Sequence, residues 1–385
     1  MTATAPARAV AYVNAGAVER NCALLKGHLR DAQLCAVVKA DGYGHGATSC
    51  AAAAVAGGAT WLAVATAPEA ADLRRDGVGE RLLVLGALTR AELELALAAD
   101  ADVVAWREDF ARIAAEVASH ARPARLHVKL DTGMGRLGTR DEAEALRVAA
   151  FAQDAESLEP AGVMTHFATA DVSESRFFDE QLARFTAMAQ EFRRLYPDAV
   201  VHAANSSATL RSRAAHFDMA RCGIAIYGLD PFGKDALEHG LAPALELHSY
   251  VADVKEVAPG ETVGYGCTWS PAAPTNVAVL PIGYGDGYRR ALSNKAEVLI
   301  RGRRRRVVGT VSMDNVTVDV GPDTDVRRDD DATLIGPQGT ERISAEELAR
   351  LADTINFEIA TGISARVPRV PPAAVKGSQP RRSRR

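Results

Sequence analysis

Along the first 230 or so residues, short apolar runs alternate with longer Ala/Leu/Glu/Arg-rich stretches. The runs are Ala36–Lys39, Trp61–Ala65, Arg81–Leu85, Val103–Trp106, Leu126–Leu130, Gly162–Phe167, Val201–Ala204 and Cys222–Tyr227. Each is apolar enough to be buried on both faces, as strands of a parallel sheet are. The stretches between them, such as Glu92–Asp100 and Glu180–Leu195, place apolar residues at helical spacing with charges between. Such alternation predicts consecutive βα units, and eight of them predict a (β/α)8 barrel.

After about residue 236 the pattern shortens to alternating Val/Thr-rich stretches punctuated by Gly, Pro, Asn and Asp. Strands are expected at Thr275–Leu280, Glu297–Ile300, Val307–Val311 and Val316–Val320. One helix, Ser344–Asp353, is expected, with Ser344 and Glu347 forming a capping box. The predicted class is α/β: an N-terminal (β/α)8 TIM-like barrel over residues 10–236 and a C-terminal mainly β domain over residues 237–372. A strand is expected at Ala9–Asn14. Residues 373–385 are expected to form a disordered basic tail, being polar, Pro-containing and without periodicity.

Length supports two domains, because 385 residues exceed the size at which a single core stops growing. The net charge of −4 and pI near 6.2 give no reason to expect a nucleic-acid or anionic-membrane partner. The Arg301–Arg306 cluster lies between two strand-like runs and reads as a charged hairpin. No apolar run approaches the roughly 18 to 20 residues that span a bilayer, and the first residues lack a signal pattern, so a cytoplasmic location is expected. Five scattered cysteines, never spaced as C-x-x-C, argue against a disulfide framework or structural zinc, and small buried hydrophobes are expected instead. Nine histidines form no H-E-x-x-H pattern, and no metal is expected.

Barrels of this kind carry their chemistry at the C-terminal ends of strands. There the sequence places Lys39, Lys129, Asp131, Arg136, His166, Asn205, Ser206, Ser207, Arg221 and Gly223. Lys39 is followed by a glycine-rich turn through Gly46 that lets backbone approach a ligand closely. A desolvated lysine loses its proton readily and forms Schiff bases. Asn205-Ser206-Ser207 and Gly223-Ile224 fall at the seventh and eighth strands, where barrels commonly bind phosphate. A Schiff-base lysine facing a phosphate cradle suggests pyridoxal 5'-phosphate; a phosphosugar aldolase shares both features.

The segment Ala36-Val-Val-Lys-Ala-Asp-Gly-Tyr-Gly-His-Gly46 resembles the cofactor signature of the alanine racemases, pyridoxal-phosphate enzymes of fold type III. Further matches follow in order: Lys129–Gly138, His166–Asp171, Asn205-Ser206, Arg221–Ile224, Gly264–Gly266, Gly283–Tyr288, Ser312–Asp314 and Arg366–Arg369. The resemblance implies an isomerase that interconverts L- and D-alanine and supplies D-alanine for cell-wall peptidoglycan. It implies Lys39 as cofactor lysine and one base, and Tyr265 as the second base on the opposite face. In this family Tyr265 comes from the partner subunit, so a homodimer is implied, with Met313 also contributed across the interface. Arg221 and His166 match the relay that favours the phenolate, and Arg221 also matches the group facing the pyridine nitrogen. Arg136 and the Met313 backbone N–H match the substrate carboxylate anchors, and Lys129 a lysine that is carbamylated in similar enzymes. Tyr43, Asn205, Ser206, Gly223 and Ile224 match cofactor contacts, while Tyr284 and Asp314 match supporting residues.

The match departs at three places. Phe357 stands where the family carries a tyrosine, Thr310 where it carries an arginine, and Ala9–Asn14 lacks the usual acidic residue. The first two alter the entrance and lead to an expectation of substrates beyond alanine, such as serine. The alternatives are a racemase of another small amino acid and a non-catalytic pyridoxal-phosphate-binding protein.

Overall fold

The computed structural model describes residues 7–372; the basic tail expected at 373–385 lies outside the described residues. The chain divides into two compact units. One comprises Gly16–Pro243 with Ile355–Thr361; the other comprises the residues up to Ala15, Ala244–Thr354 and those from Gly362 onward.

The first unit is a closed barrel of eight parallel strands: Gln33–Val37, Trp61–Val64, Arg81–Val84, Ala101–Ala105, Ala124–Lys129, Leu158–Met164, Val200–His202 and Met219–Cys222. The eighth closes on the first, with Cys35 opposite Arg221 and Ala36 opposite Cys222. Every residue of Trp61–Val64 and Ala101–Ala105 is buried, which is why Trp61–Val64 and Val103–Ala105 read as continuous apolar runs. Helices Ala67–Arg75 and Arg90–Ala98 open on capping boxes, Thr66 with Glu69 and Thr89 with Glu92. Each cap satisfies N–H groups the first helical turn leaves unpaired, a contribution of about 1 kcal/mol. Helix Arg176–Leu195 buries Phe178, Gln181, Phe185, Met188, Ala189 and Phe192 at three- and four-residue spacing.

Three barrel runs differ most from the expectation; the sixth occupies Leu158–Met164, so His166, expected within it, lies beyond the strand. The first ends at Val37, so Lys39 lies beyond the strand in a tight turn. The eighth occupies Met219–Cys222, and Ile224–Tyr227 is a 3-10 turn rather than strand. Gly223, at φ −105° and ψ −93°, takes the backbone out of the extended region there.

The second unit holds a mixed sheet in the order Arg303–Arg306, Glu297–Ile300, Asp331–Gln338, Leu245–Tyr250, Val10–Val13, Arg369–Val370; Glu341–Ile343 also pairs with Asp331–Gln338. A three-stranded antiparallel sheet consists of Asp253–Val257, Thr275–Leu280 and Val316–Gly321. Val257, Val263, Val277 and Val308 form a cluster against which Trp269 packs. The strand Val10–Val13 pairs with Leu245–Tyr250 and Arg369–Val370, so residues expected in the barrel belong to the β unit. Conversely, helix Asn356–Thr361, expected in the β domain, belongs to the barrel unit.

The arginine cluster is itself a strand, Arg303–Arg306, paired in a hairpin with Glu297–Ile300. Val307–Val311 is not a strand; only Val307 bridges, to Val318, although Val307, Val308 and Val311 are buried. Arg304 turns to Glu297, Glu341 and Glu347 at 3.0, 3.0 and 2.6 Å. Glu347 is therefore drawn to Arg304, and the helix Ala345–Leu351 keeps only the Ser344 half of its expected box, with Glu347 N–H donating to Ser344 Oγ at 3.1 Å. Four cysteines are buried as expected, whereas Cys267 is exposed. Among the described residues no helix is long and apolar enough to cross a membrane.

Candidate active site

Lys39 opens a turn in which Ala40, Asp41, Gly42 and Tyr43 all adopt left-handed φ and ψ, with φ between 52° and 60°. L-residues pay about 1–2 kcal/mol each for this conformation, so the surroundings must enforce it. Glu69 does part of this: Oε1 accepts from Ala40 N–H at 2.7 Å, while Oε2 accepts from Ala65 and Thr66 N–H at 2.8 and 3.1 Å. Asp41 Oδ1 accepts from Ala47 N–H at 2.9 Å. Gly44, at φ +80°, packs on helix Asn356–Thr361 so closely that a Cβ would lie 2.5 Å from the Ala360 carbonyl oxygen. Burial lowers the Lys39 pKa, Arg136 lowers it further and Glu69 partly opposes them.

Lys129 is the last residue of the fifth strand and is buried. Burial, then Arg221 and Arg136, bring its pKa down to about 8. Asp131 organises the following loop. Its carboxylate accepts from Gly133 N–H at 3.1 Å, Gly135 N–H at 3.0 Å and Arg140 Nε at 3.1 Å. That fold of the loop leaves Arg136 on the cavity wall.

Arg221 is a buried cation. Its Nη2 donates to the carbonyls of Thr165 and Ala203 at 2.8 and 3.1 Å and to His166 Nδ1 at 3.3 Å; Nη1 donates to His202 Nδ1 at 2.9 Å. Burial lowers the guanidinium to about 10, which still leaves it charged near neutrality. Burial and then Arg221 drive the His166 pKa well below the usual imidazole value. Because arginine only donates, neutral His166 accepts at Nδ1 and carries its proton on Nε2.

Lys39, Tyr43, Lys129, Arg136, His166, Asn205, Ser206, Ser207, Arg221, Gly223, Ile224 and Phe357 line one cavity of about 510 Å³, within the range of small-molecule sites. Ser206 Oγ accepts from Gly223 N–H at 3.0 Å. Asn205 caps the turn Ser206–Arg211, its side chain accepting from Ala208 N–H at 2.9 Å. Gly223 is required by its neighbours, since a Cβ there would sit 2.4 Å from the Tyr43 hydroxyl. Burial raises Tyr43 to about 12, keeping it a neutral donor. The Phe357 ring lies 6.2 Å from that of Tyr43.

Tyr265, Met313, Tyr284 and Asp314 belong to the β unit. Tyr265 is 74% exposed and Met313 52%. The loops of Tyr284 and Met313 bond to each other, Tyr284 N–H to Ser312 O at 3.0 Å and Gly285 N–H to Met313 O at 2.9 Å. Asp314 pairs with Arg366 at 2.7 Å and Arg8 at 3.4 Å. The Thr310 hydroxyl donates to the Tyr265 carbonyl at 2.8 Å, so the residue replacing an expected arginine anchors the backbone of Tyr265.

The family model described as the alanine racemase N-terminal domain matches residues 13–231, and that of the alanine racemase C-terminal domain matches residues 244–371. The chain belongs to the alanine racemase family. The alanine racemase of Symbiobacterium thermophilum is 44% identical over 361 residues, covering 93% of this chain and 96% of that protein. The one from Frankia casuarinae is 41% identical over 372 residues, covering 94% and 96%. The solved structure of alanine racemase from Streptomyces coelicolor A3(2) superposes with a TM-score of 0.90 at 38% identity, covering 95% of this chain and 98% of that one.

Beyond the residues of the alanine racemase motifs, Glu69 bonds the Lys39 turn and His202 bonds Arg221, with His127 and Asp102 behind it; none of these four was singled out from the sequence. Glu69 carried a signal, the Thr66-x-x-Glu69 capping pattern ahead of a helix. The other three were visible as polar residues inside strands otherwise apolar enough for full burial.

Proposed function

We propose that this chain interconverts L- and D-alanine with pyridoxal 5'-phosphate. The observation that carries the reading is that one cavity holds a half-buried lysine, Lys39, and a buried arginine, Arg221, with hydroxyl and backbone N–H donors beside them. These residues fit the cofactor: Lys39 would bond its aldehyde carbon, and Tyr43, Ser206, Gly223 and Ile224 would receive its phosphate. Arg221 would donate to the ring nitrogen without surrendering its proton. When bound, the cofactor supplies an electron sink that acidifies the substrate Cα–H.

The residues then divide the proton work. Lys39, its pKa depressed by burial, takes or returns a proton at Nζ on one face. Tyr265 of the partner subunit acts on the other, its phenolate favoured by the Nε2–H of neutral His166, which Arg221 orients. Arg136 and the Met313 backbone N–H of the partner subunit would hold the carboxylate. The neutral form of Lys129, abundant near pH 8, is the form that adds carbon dioxide. The resulting carbamate, formed with loss of a proton, would give Arg136 an anionic neighbour.

Mixing two inactive variants tests the reading. Lys39→Ala and Tyr265→Ala homodimers, unfolded and refolded together, form heterodimers with one intact site if Tyr265 acts across the interface. Alanine racemisation then recovers to about a quarter of wild type, as random pairing of a two-fold dimer requires. No recovery would place the second base elsewhere, and a wild type that leaves the alanine Cα–H unexchanged in D2O would make the protein a carrier.

A further inference from the structure

The interior of a (β/α)8 barrel is ordinarily filled by branched apolar side chains. This barrel contains Asp102, His127 and His202, none of them with any exposure to solvent. They stand on the fourth, fifth and seventh strands and join end to end. Asp102 Oδ2 lies 2.9 Å from His127 Nε2, His127 Nδ1 lies 2.8 Å from His202 Nε2, and His202 Nδ1 lies 2.9 Å from Arg221 Nη1.

The two ends of this chain dictate every proton within it. Arginine can only donate, so His202 Nδ1 is a bare acceptor and neutral His202 carries its proton on Nε2. That proton is donated to His127 Nδ1, which leaves the His127 proton on Nε2, donated to Asp102. Burial alone would raise the Asp102 pKa, but the His127 bond with Arg81 and Arg125 outweighs it and keeps the group an anion. Arg81 Nη2 lies 2.9 Å from Asp102 Oδ2, and Arg125 Nε lies 2.5 Å from Oδ1. Reversing any one link would set two donors or two bare nitrogens against each other.

The fold makes room for this chain. A Cβ on Gly162 would come 2.5 Å from His127 Nδ1 and 2.8 Å from its Cε1, so the sixth strand forgoes a side chain where the ring passes. The edge of the His127 ring also rests on Trp61, with ring centroids 5.6 Å apart.

We propose that Asp102 and His127 are positioning residues for the active site, acting through His202 to hold the Arg221 guanidinium in one orientation. Resting on the racemase reading above, this assigns the barrel interior a part in catalysis. The Arg221 partners are carbonyls and imidazoles, and the chain that leaves its Nη1 ends two imidazoles away on the Asp102 carboxylate, itself held by Arg81 and Arg125. With Nη1 committed to His202, Nη2 stays directed at His166.

The test begins with the wild-type full chain labelled with 15N-histidine, with and without cofactor. The ring nitrogens of His127 and His202 report their tautomers directly, assigned by the signals lost in His127→Asn and His202→Asn. Both should be neutral Nε2–H tautomers at pH 7, and a His202 that carries its proton on Nδ1, or on both nitrogens, overturns the proposal without any variant needing to fold. Asp102→Asn keeps an acceptor oxygen but removes the charge. It should lower alanine kcat about tenfold or more with KM little changed, as misorientation remote from the chemistry does, and should move the His202 nitrogen signals. Wild-type kcat in both Asp102→Asn and His127→Asn overturns it. Alanine Cα–H left unexchanged by the wild type would instead overturn the racemase reading and the catalytic role with it, while the tautomers would still decide whether the chain orients Arg221.

Discussion

A lysine surrounded by cations and removed from water holds its proton weakly, and the two site lysines show this to different degrees. Lys129, lowered to about 8 by burial and then by Arg221 and Arg136, holds a larger share of neutral amine near pH 8 than an ordinary lysine does, which makes the proposed carbamate testable. With 13C-bicarbonate, a carbamate carbon resonance should appear near pH 8 and vanish in Lys129→Ala. Below that pH the ammonium predominates, so the resonance should weaken as the solution is acidified; its absence at every pH would leave Lys129 an unmodified cation. Phe357 lines the cavity beside Tyr43 without a hydroxyl of its own. We expect measurable racemisation of L-serine beside L-alanine, and Phe357→Tyr should shift the ratio toward alanine; a chiral assay with serine at background removes this idea. Lys39, Arg136, His166 and Arg221 were legible in the sequence because they sit in recognisable motifs. Asp102, His127 and His202 show in the sequence only as polar residues in buried strands, and their association does not, because it lies in meeting one another across strands that are distant in sequence.

Two elements hold the lysine turn, and each makes a separate prediction. The left-handed stretch from Ala40 to Tyr43 stores strain. Ala40→Gly relieves about 1–2 kcal/mol of it against a glycine entropy cost of about 0.5–1 kcal/mol. The melting temperature should therefore rise, by up to about 2 °C, while kcat falls because the backbone beside Lys39 is freer; a lower melting temperature would show the turn to be unstrained. Glu69 caps its own helix and also binds the N–H of Ala40. Glu69→Ala should cost about 1–2 kcal/mol in thermal unfolding. Because Glu69 opposes the lowering of the Lys39 pKa, the same variant should lower that pKa further, read as a downward shift of the basic-side features of the rate profile. The helix start was legible from Thr66 and Glu69, but that its carboxylate also reaches the lysine turn was not, since a cap motif records only local partners.

At the scale of the whole molecule, the exposed Tyr265, Met313 and Tyr284 of the β unit, at 74%, 52% and 44%, are apolar or aromatic surfaces suited to a partner subunit. A homodimer that shares its bases should lose specific activity on dilution in step with its sedimentation coefficient, and activity unchanged in a monomer would refute the shared site. Hydrophobic periodicity by itself set the class: eight buried runs separated by amphipathic helices indicate a parallel sheet of βα units, which the count suggests is a barrel, and the later Val/Thr alternation indicates a sheet with one wet face. Those patterns are local, set by the geometry of strand and helix. Only tertiary structure decided that Val10–Val13 joins the β unit, that the arginine run forms a strand whose Arg304 meets Glu297, Glu341 and Glu347, and that Lys39 opens a left-handed turn. It alone linked Asp102 to Arg221 through two imidazoles. Each of these depends on pairing between residues tens to hundreds of positions apart, where hydrogen-bond polarity and charge balance, rather than periodicity, select the arrangement.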